Sequence, residues 1–144
     1  MVAYADTGFL VSLYARDANS AHAQTLASRL QMPLAFTDFL RHEARNAIRL
    51  ALFRKEITGE EGQSVLQAIE DDVLRGGLEE IAVSWADVFR ESEVLSAAHT
   101  AKLGTRASDI LHVAAAIAMG ARDFYTFDQR QKALAMKAGL KVRP

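Results

Sequence analysis

The chain contains no cysteine. Disulfides and thiolate metal sites are therefore excluded, while metals with oxygen ligands stay open. It has no surplus of charge of either sign, since 17 Lys and Arg stand against 18 Asp and Glu for a net −1. That balance confers no general affinity for nucleic acid, so any anion-binding surface must be local. No uninterrupted apolar run is long enough to span a bilayer. The apolar start carries no basic leader and no cleavage site, which makes it a first strand rather than a signal peptide and a cytoplasmic location the default expectation. There is no Gly-x-Gly-x-x-Gly or Walker-type loop, which leaves dinucleotide and ordinary nucleoside triphosphate binding without support. No linker, internal repeat or low-complexity tract interrupts the chain.

What remains is ordinary globular composition: 144 residues, half of them apolar. That is enough for one domain, 1–144, with a real hydrophobic core. Strand-like runs fall at Val2–Ala5, Leu34–Thr37, Ile81–Val83, Phe124–Phe127 and Leu140–Val142. Helical patterns lie between them. A short one covers Thr7 to Tyr14, and Ser20 opens one running to Leu30. Thr37 or Asp38 caps a long one to Lys55. Thr58 and Glu61 form a capping-box pattern for the next, which ends near Gly76-Gly77. Ser84 opens another that ends at Gly104. The last two run from Ser108 to Gly120 and from Asp128 to Gly139. Glycines stand where helix C-termini take up a left-handed residue. Short apolar strands alternating with helices predict an α/β fold with a parallel sheet covered on both faces.

Four acids are out of place in this pattern. Asp6 and Asp128 directly follow apolar strands. In parallel α/β sheets, ligands bind beyond the carboxyl ends of the strands, near a switch in strand order. On a wheel of about 100° per residue, Glu43 falls among Phe39, Leu40, Ala44, Ala47, Ile48, Leu50 and Ala51, away from Arg41, Arg45 and Arg49. It is expected to face the core or a cleft in it, where an unpaired carboxylate is costly. Asp109 opens Asp109–Met119, a stretch apolar all round and hence a central buried helix. There the helix dipole favours the ionised acid. Carboxylates drawn from distant parts of a chain repel one another unless a cation joins them. A hard divalent metal is the usual cation, so the pattern points to metal-assisted phosphate chemistry.

Structural readings stand beside this one. Asp6 and Asp128 are each good helix N-caps. Glu43 has arginines on its own helix as potential partners. Asp109 suits a helix start. Asp38 reads only as a cap. Glu60, Glu61, Asp71, Asp72, Glu79 and Glu80 read as solvated faces and turns. Thr7 and Thr126 flank the acids and either support a carboxylate or finish a local cap. For positive charge near the acids, Arg106 and Arg130 are best placed to meet phosphate. The Arg41, Arg45 and Arg49 stripe reads as a solvated helix face. Phe9 and Trp85 are expected to pack rather than stack on bases.

These residues resemble a known family, the PIN-domain ribonucleases, and among them the VapC-type toxins of type II toxin–antitoxin pairs. The matching segments are Tyr4-Ala5-Asp6-Thr7 with Leu10-Val11, then Thr37-x-x-Leu40-x-x-Glu43, then Asp109-Ile110-Leu111-His112, and finally Tyr125-Thr126-Phe127-Asp128 with Gln129-Arg130-Gln131. In order, they cover nearly the whole chain.

The resemblance implies a three-layer α/β/α sandwich around a central parallel sheet of about five strands. It implies a Mg²⁺- or Mn²⁺-dependent endoribonuclease with metal-binding roles at Asp6, Glu43, Asp109 and Asp128. A cognate antitoxin that threads a peptide across the site, and a homodimer, follow in the same way. Two features depart from the family pattern. Gly8 stands where a serine is frequent, and only one acid occupies the Thr126-x-Asp128 region. His112 is taken as a buried structural histidine. Alternative readings are a catalytically weak module that binds RNA or protein, or another metal-dependent phosphohydrolase. An Asp-x-Asp phosphatase is disfavoured because Gly8 stands where the second acid belongs.

Overall fold

The computed structural model describes residues 1–144. Its elements run β1 (Tyr4–Ala5), α1 (Thr7–Tyr14), α2 (Ser20–Ser28), β2 (Leu34–Phe36), α3 (Asp38–Phe53) and α4 (Gly59–Arg75). They continue with β3 (Leu78–Glu80), α5 (Trp85–Leu95), a π-helical turn (Ser96–Thr100), α6 (Ala101–Leu103), α7 (Ala107–Ala118), β4 (Asp123–Tyr125), α8 (Gln129–Lys137) and β5 (Lys141–Arg143). No helix is long and apolar enough to cross a membrane.

All strand pairings are parallel, as expected, but the strands do not form one continuous ladder. One sheet has three strands in the order β1-β4-β5, and a second pairs β2 with β3. A single parallel bridge between Ala3 and Leu34 joins them. The expectation of one sheet of about five strands is corrected accordingly. β1 spends its two residues on β4, pairing Tyr4 with Phe124 and Ala5 with Tyr125. It meets β2 only before that, where Ala35 N–H donates to the Ala3 carbonyl at 2.8 Å. Across the bridge the spatial order is β3-β2-β1-β4-β5, so strand order reverses between β1 and β4.

Every residue of β1 and β2 is buried, which means that both faces of this region are covered. The strand expected at Ile81–Val83 lies three residues earlier, at Leu78–Glu80. Its register is set by β2, with Leu34 opposite Leu78 and Phe36 opposite Glu80. Only Leu78 is buried there, and Glu79 and Glu80 face solvent, as suits an edge strand. The helix from Ser84 does reach Gly104, whose φ of 67° is the left-handed stop, but it passes through the π-helical turn on the way.

Capping decides several boundaries. Thr37, not Asp38, caps α3, and its hydroxyl accepts from the Leu40 N–H at 3.1 Å. Asp38 is the exposed first residue, at the rim of an ion pair with Arg41. Thr58 and Glu61 form the expected capping box on α4. The core is one cluster of 26 buried side chains. Phe9, stacked against Phe127 at 5.2 Å, belongs to it, and Trp85 packs edge-on against Phe39 at the margin.

Candidate active site

The four acids expected to converge do so. Asp6, Glu43, Asp109 and Asp128 line one open cleft of about 650 Å³, together with Thr7, Arg106, His112 and Gln131. The cleft opens where β1 and β4 deliver their carboxyl ends, on either side of the reversal in strand order. Backbone direction alone brings Asp6 and Asp128 there; α3 and α7 carry the other two in from the flanking helices.

Each carboxylate is held differently. Asp6 is buried and caps α1: its Oδ1 accepts from the Phe9 N–H at 2.8 Å. Its Oδ2 accepts from the Thr126 hydroxyl at 2.6 Å. Burial raises its pKa, the two hydrogen bonds oppose that rise, and repulsion from Asp128 adds to it. Asp128 is the N-cap of α8, accepting from the Gln131 N–H at 2.8 Å. The cap reading and the site reading of these two acids are therefore both true: capping fixes where the carboxylate points.

Glu43 takes neither an arginine nor a core position. Its Oε1 accepts from the Thr7 hydroxyl and from the His112 ring Nε2, each at 2.6 Å. Partial burial pushes its pKa up, but the bonds from His112 and Thr7 outweigh burial and hold it below the usual glutamate value. Asp109, at the start of α7, is forked by Arg106, with Nε to Oδ2 at 3.0 Å and Nη2 to Oδ1 at 3.4 Å. Thr126 also accepts from the Asp128 N–H at 3.0 Å, so one hydroxyl ties Asp6 to the start of α8.

The two arginines part company. Arg106 lines the cleft, whereas Arg130 is exposed outside it, its guanidinium 3.5 Å from the Gly104 carbonyl and not on Asp128. The stripe on α3 is occupied by acids: Arg41 pairs with Glu70 and Glu80, and Arg45 with Glu70. Asp72, read as solvated, accepts from the Tyr14 hydroxyl at 2.6 Å.

Two residues have more to do here than the sequence reading allowed. His112 is buried, as expected, yet it also touches Glu43. Its spacing three residues after Asp109, on the same helix face, was the available signal. Gln131 is buried beneath the cleft and donates from its side-chain amide to the Asp109 carbonyl at 3.1 Å. Gly8 leaves room for the side chain it lacks, since a Cβ there would meet only Asp6 Oδ1 at 3.7 Å.

The donor set suits a hard cation. Four carboxylates face one guanidinium, and a magnesium-like ion takes few carboxylates and keeps several waters. As they stand, no three His, Asp or Glu side chains form a ready metal cage. Arg106 occupies Asp109, so coordination by Asp109 would require the guanidinium to withdraw.

No protein-family model matches the chain, and no curated protein matches it significantly. Solved structures do. VapC20 of Mycobacterium tuberculosis, a sarcin-ricin loop cleaving toxin, matches with a TM-score of 0.69 at 21% identity over 98% of both chains. VapBC2 from Rickettsia felis, solved with a DNA fragment from its promoter, matches at 0.65 and 20% identity, over 99% of this chain and 98% of that one. FitAcB from Neisseria gonorrhoeae matches at 0.66 and 17% identity, over 100% and 97%. At these identities the likeness is one of fold, and the fold is that of the PIN-domain, VapC-type toxins.

Proposed function

We propose that this chain is a metal-dependent endoribonuclease that acts in the cytoplasm as the toxin of a toxin–antitoxin pair. The observation that carries the reading is the convergence of Asp6, Glu43, Asp109 and Asp128, from four elements, on one cleft at the strand-order reversal. Carboxylates brought together in one cleft, Asp6 and Asp109 buried and Glu43 and Asp128 half-buried, are an expensive arrangement with no structural purpose beyond capping. A cation offsets that expense.

In this reading Asp6, Glu43 and Asp128 would hold Mg²⁺ or Mn²⁺, and Asp109 would be available to it only without the Arg106 contact. The ion supplies neutralisation of phosphate charge and activation of a water for in-line attack on phosphorus. The chain's own residues do the rest. Thr126 and the Phe9 N–H hold Asp6 in place, Thr7 and His112 hold Glu43, and Gln131 braces the start of α7. Arg106 is the cleft's single positive side chain and is the natural contact for a substrate phosphate.

Charge elsewhere supports an RNA substrate. Residues 101–144 carry eight Lys and Arg against three acids, while residues 1–100 carry nine against fifteen. The positive excess that net charge conceals therefore lies in the last third of the chain, which includes Arg106 and Arg130. Partners follow the fold likeness: a cognate antitoxin that covers the cleft with a basic side chain, and a second copy of this chain.

The lack of a ready metal cage favours one alternative, a module of this fold that binds RNA or protein without cutting. Cleavage of structured RNAs with Mg²⁺, Mn²⁺ or EDTA, run beside Asp6→Asn, separates the two. Metal-dependent cuts absent from the variant support the nuclease. RNA binding without cuts under any metal supports the module.

A further inference from the structure

We infer that Tyr4 and His112 are positioning residues whose task is to fix the Glu43 carboxylate with its second oxygen free to face the cleft. The clamp itself stands on hydrogen-bond geometry alone; its purpose rests on the nuclease reading above.

Proton accounting sets the clamp. Tyr4, on β1 beside β4, is fully buried, and its hydroxyl has one partner, the Nδ1 of His112 at 2.8 Å. A buried phenol retains its proton, and the only acceptor within reach of this one is the His112 Nδ1. The phenol therefore donates and Nδ1 accepts. A ring that accepts at Nδ1 carries its one proton on Nε2. That N–H faces Glu43 Oε1 at 2.6 Å, and the Thr7 hydroxyl donates to the same oxygen. Oε2 takes no protein hydrogen bond.

Packing reinforces the proton order. The His112 ring lies 4.9 Å from the Phe39 ring and 5.9 Å from the Tyr4 ring, and Tyr4 stacks on Phe124 at 5.4 Å. The imidazole is thus held on its faces as well as its nitrogens. The chain Tyr4, His112, Glu43 spans β1, α7 and α3, so it also locks together three of the elements that deliver the acids. A histidine that served the core alone would not need its outward nitrogen aimed at a cleft carboxylate. The donors are uncharged, so Glu43 is oriented without its charge being cancelled.

Two measurements test this. Long-range ¹H–¹⁵N spectra of histidine-labelled wild-type protein read the tautomer without any variant. The Nε2-protonated neutral ring is expected, with the Nδ1 signal moving in Tyr4→Phe. An Nδ1-protonated or doubly protonated ring in the wild type overturns the clamp.

Mn²⁺ titration and RNA kinetics then compare wild type with Tyr4→Phe, His112→Leu and His112→Gln, each checked for an intact fold by its amide spectrum. His112→Leu is expected to weaken Mn²⁺ binding and kcat by about 10- to 100-fold with KM for RNA unchanged. Tyr4→Phe should cost less, and His112→Gln should recover part of the loss because its amide still donates. If wild type binds Mn²⁺ and cuts RNA while folded Tyr4→Phe and His112→Leu match it in both, the clamp fails and the nuclease reading survives. If wild type neither binds Mn²⁺ nor cuts but shows the Nε2 tautomer moved by Tyr4→Phe, the clamp survives and the nuclease reading fails.

Discussion

The cleft has two unlike walls. On one, Asp6 and Glu43 are held without any arginine or lysine: an amide N–H and a threonine for the first, a threonine and a histidine for the second. On the other, Asp109 is held by the guanidinium of Arg106, which is itself largely exposed. Neutral donors orient a carboxylate and leave its charge to act on whatever enters. A guanidinium orients it too, but cancels the charge and can swing away. The first wall is built in advance. The second is conditional, because its arginine must choose between Asp109 and an incoming anion. In the proposed reading, a phosphate would draw Arg106 off Asp109 and leave that acid free for a cation, so that substrate entry would complete the site.

Breaking the built wall is expected to have the largest effect. Asp6→Asn keeps the volume but removes the charge, and its single carbonyl oxygen can accept from only one of the two donors, the Phe9 N–H or the Thr126 hydroxyl. RNA cleavage should fall by more than the ~100-fold typical of losing a supporting partner. Asp109→Asn should do the same if the conditional wall is needed in the end, and full activity in either variant, measured by product formation on gels, would refute the assignment of the four acids.

A second change separates the walls. Arg106→Ala removes the competitor for Asp109, so Mn²⁺ should bind more tightly to the RNA-free protein. RNA should bind more weakly, with the slope of log K against log salt reduced by about one. Weaker Mn²⁺ binding would mean that Arg106 organises the site rather than guards it. Arg130 touches no acid and lies outside the cleft, so Arg130→Ala should lower RNA affinity without changing Mn²⁺ affinity. Identical RNA binding across a range of salt would remove it from the interface.

The smallest effect concerns stability. Burial raises the pKa of Asp6 above its unfolded value, so the folded protein binds the proton more readily and loses stability as pH rises through that shifted value. The melting temperature of metal-free Asp6→Asn relative to wild type should therefore be highest near neutral pH and fall on acidification, as the wild-type acid takes up its proton. Glu43 runs the other way, since its lowered pKa adds stability that is lost as pH falls through it. A gain for Asp6→Asn that grew towards acid pH would contradict the burial account.

Much of this is legible in the sequence alone. Strand ends, caps and left-handed glycines place the elements, and apolar runs ending in Asp6 and Asp128 mark the cleft. Glu43 was visible because it interrupted the apolar half of its own helix. What could not be read was pairing. Five apolar runs do not reveal that a two-residue β1 gives its ladder to β4 and only a bridge to β2. Nor does apolar alternation at Ile81–Val83 show that β2 dictates a register three residues earlier. The partners of charged side chains were equally hidden, because Arg41 meets Glu70 and Glu80 only once α3, α4 and β3 are packed. The contacts of His112 were hidden for a related reason. Its burial was legible, but the Tyr4 hydroxyl on one nitrogen and Glu43 on the other appear only once β1, α3 and α7 are packed.

The central claim is that these acids await a cation. Calorimetric titration of Mn²⁺ into the purified protein tests it most directly, with Asp6→Asn and Glu43→Gln alongside. The account predicts saturable binding in the wild type, weakened in both variants. Absence of saturable binding in the wild type, or binding that both variants retain unchanged, would contradict it.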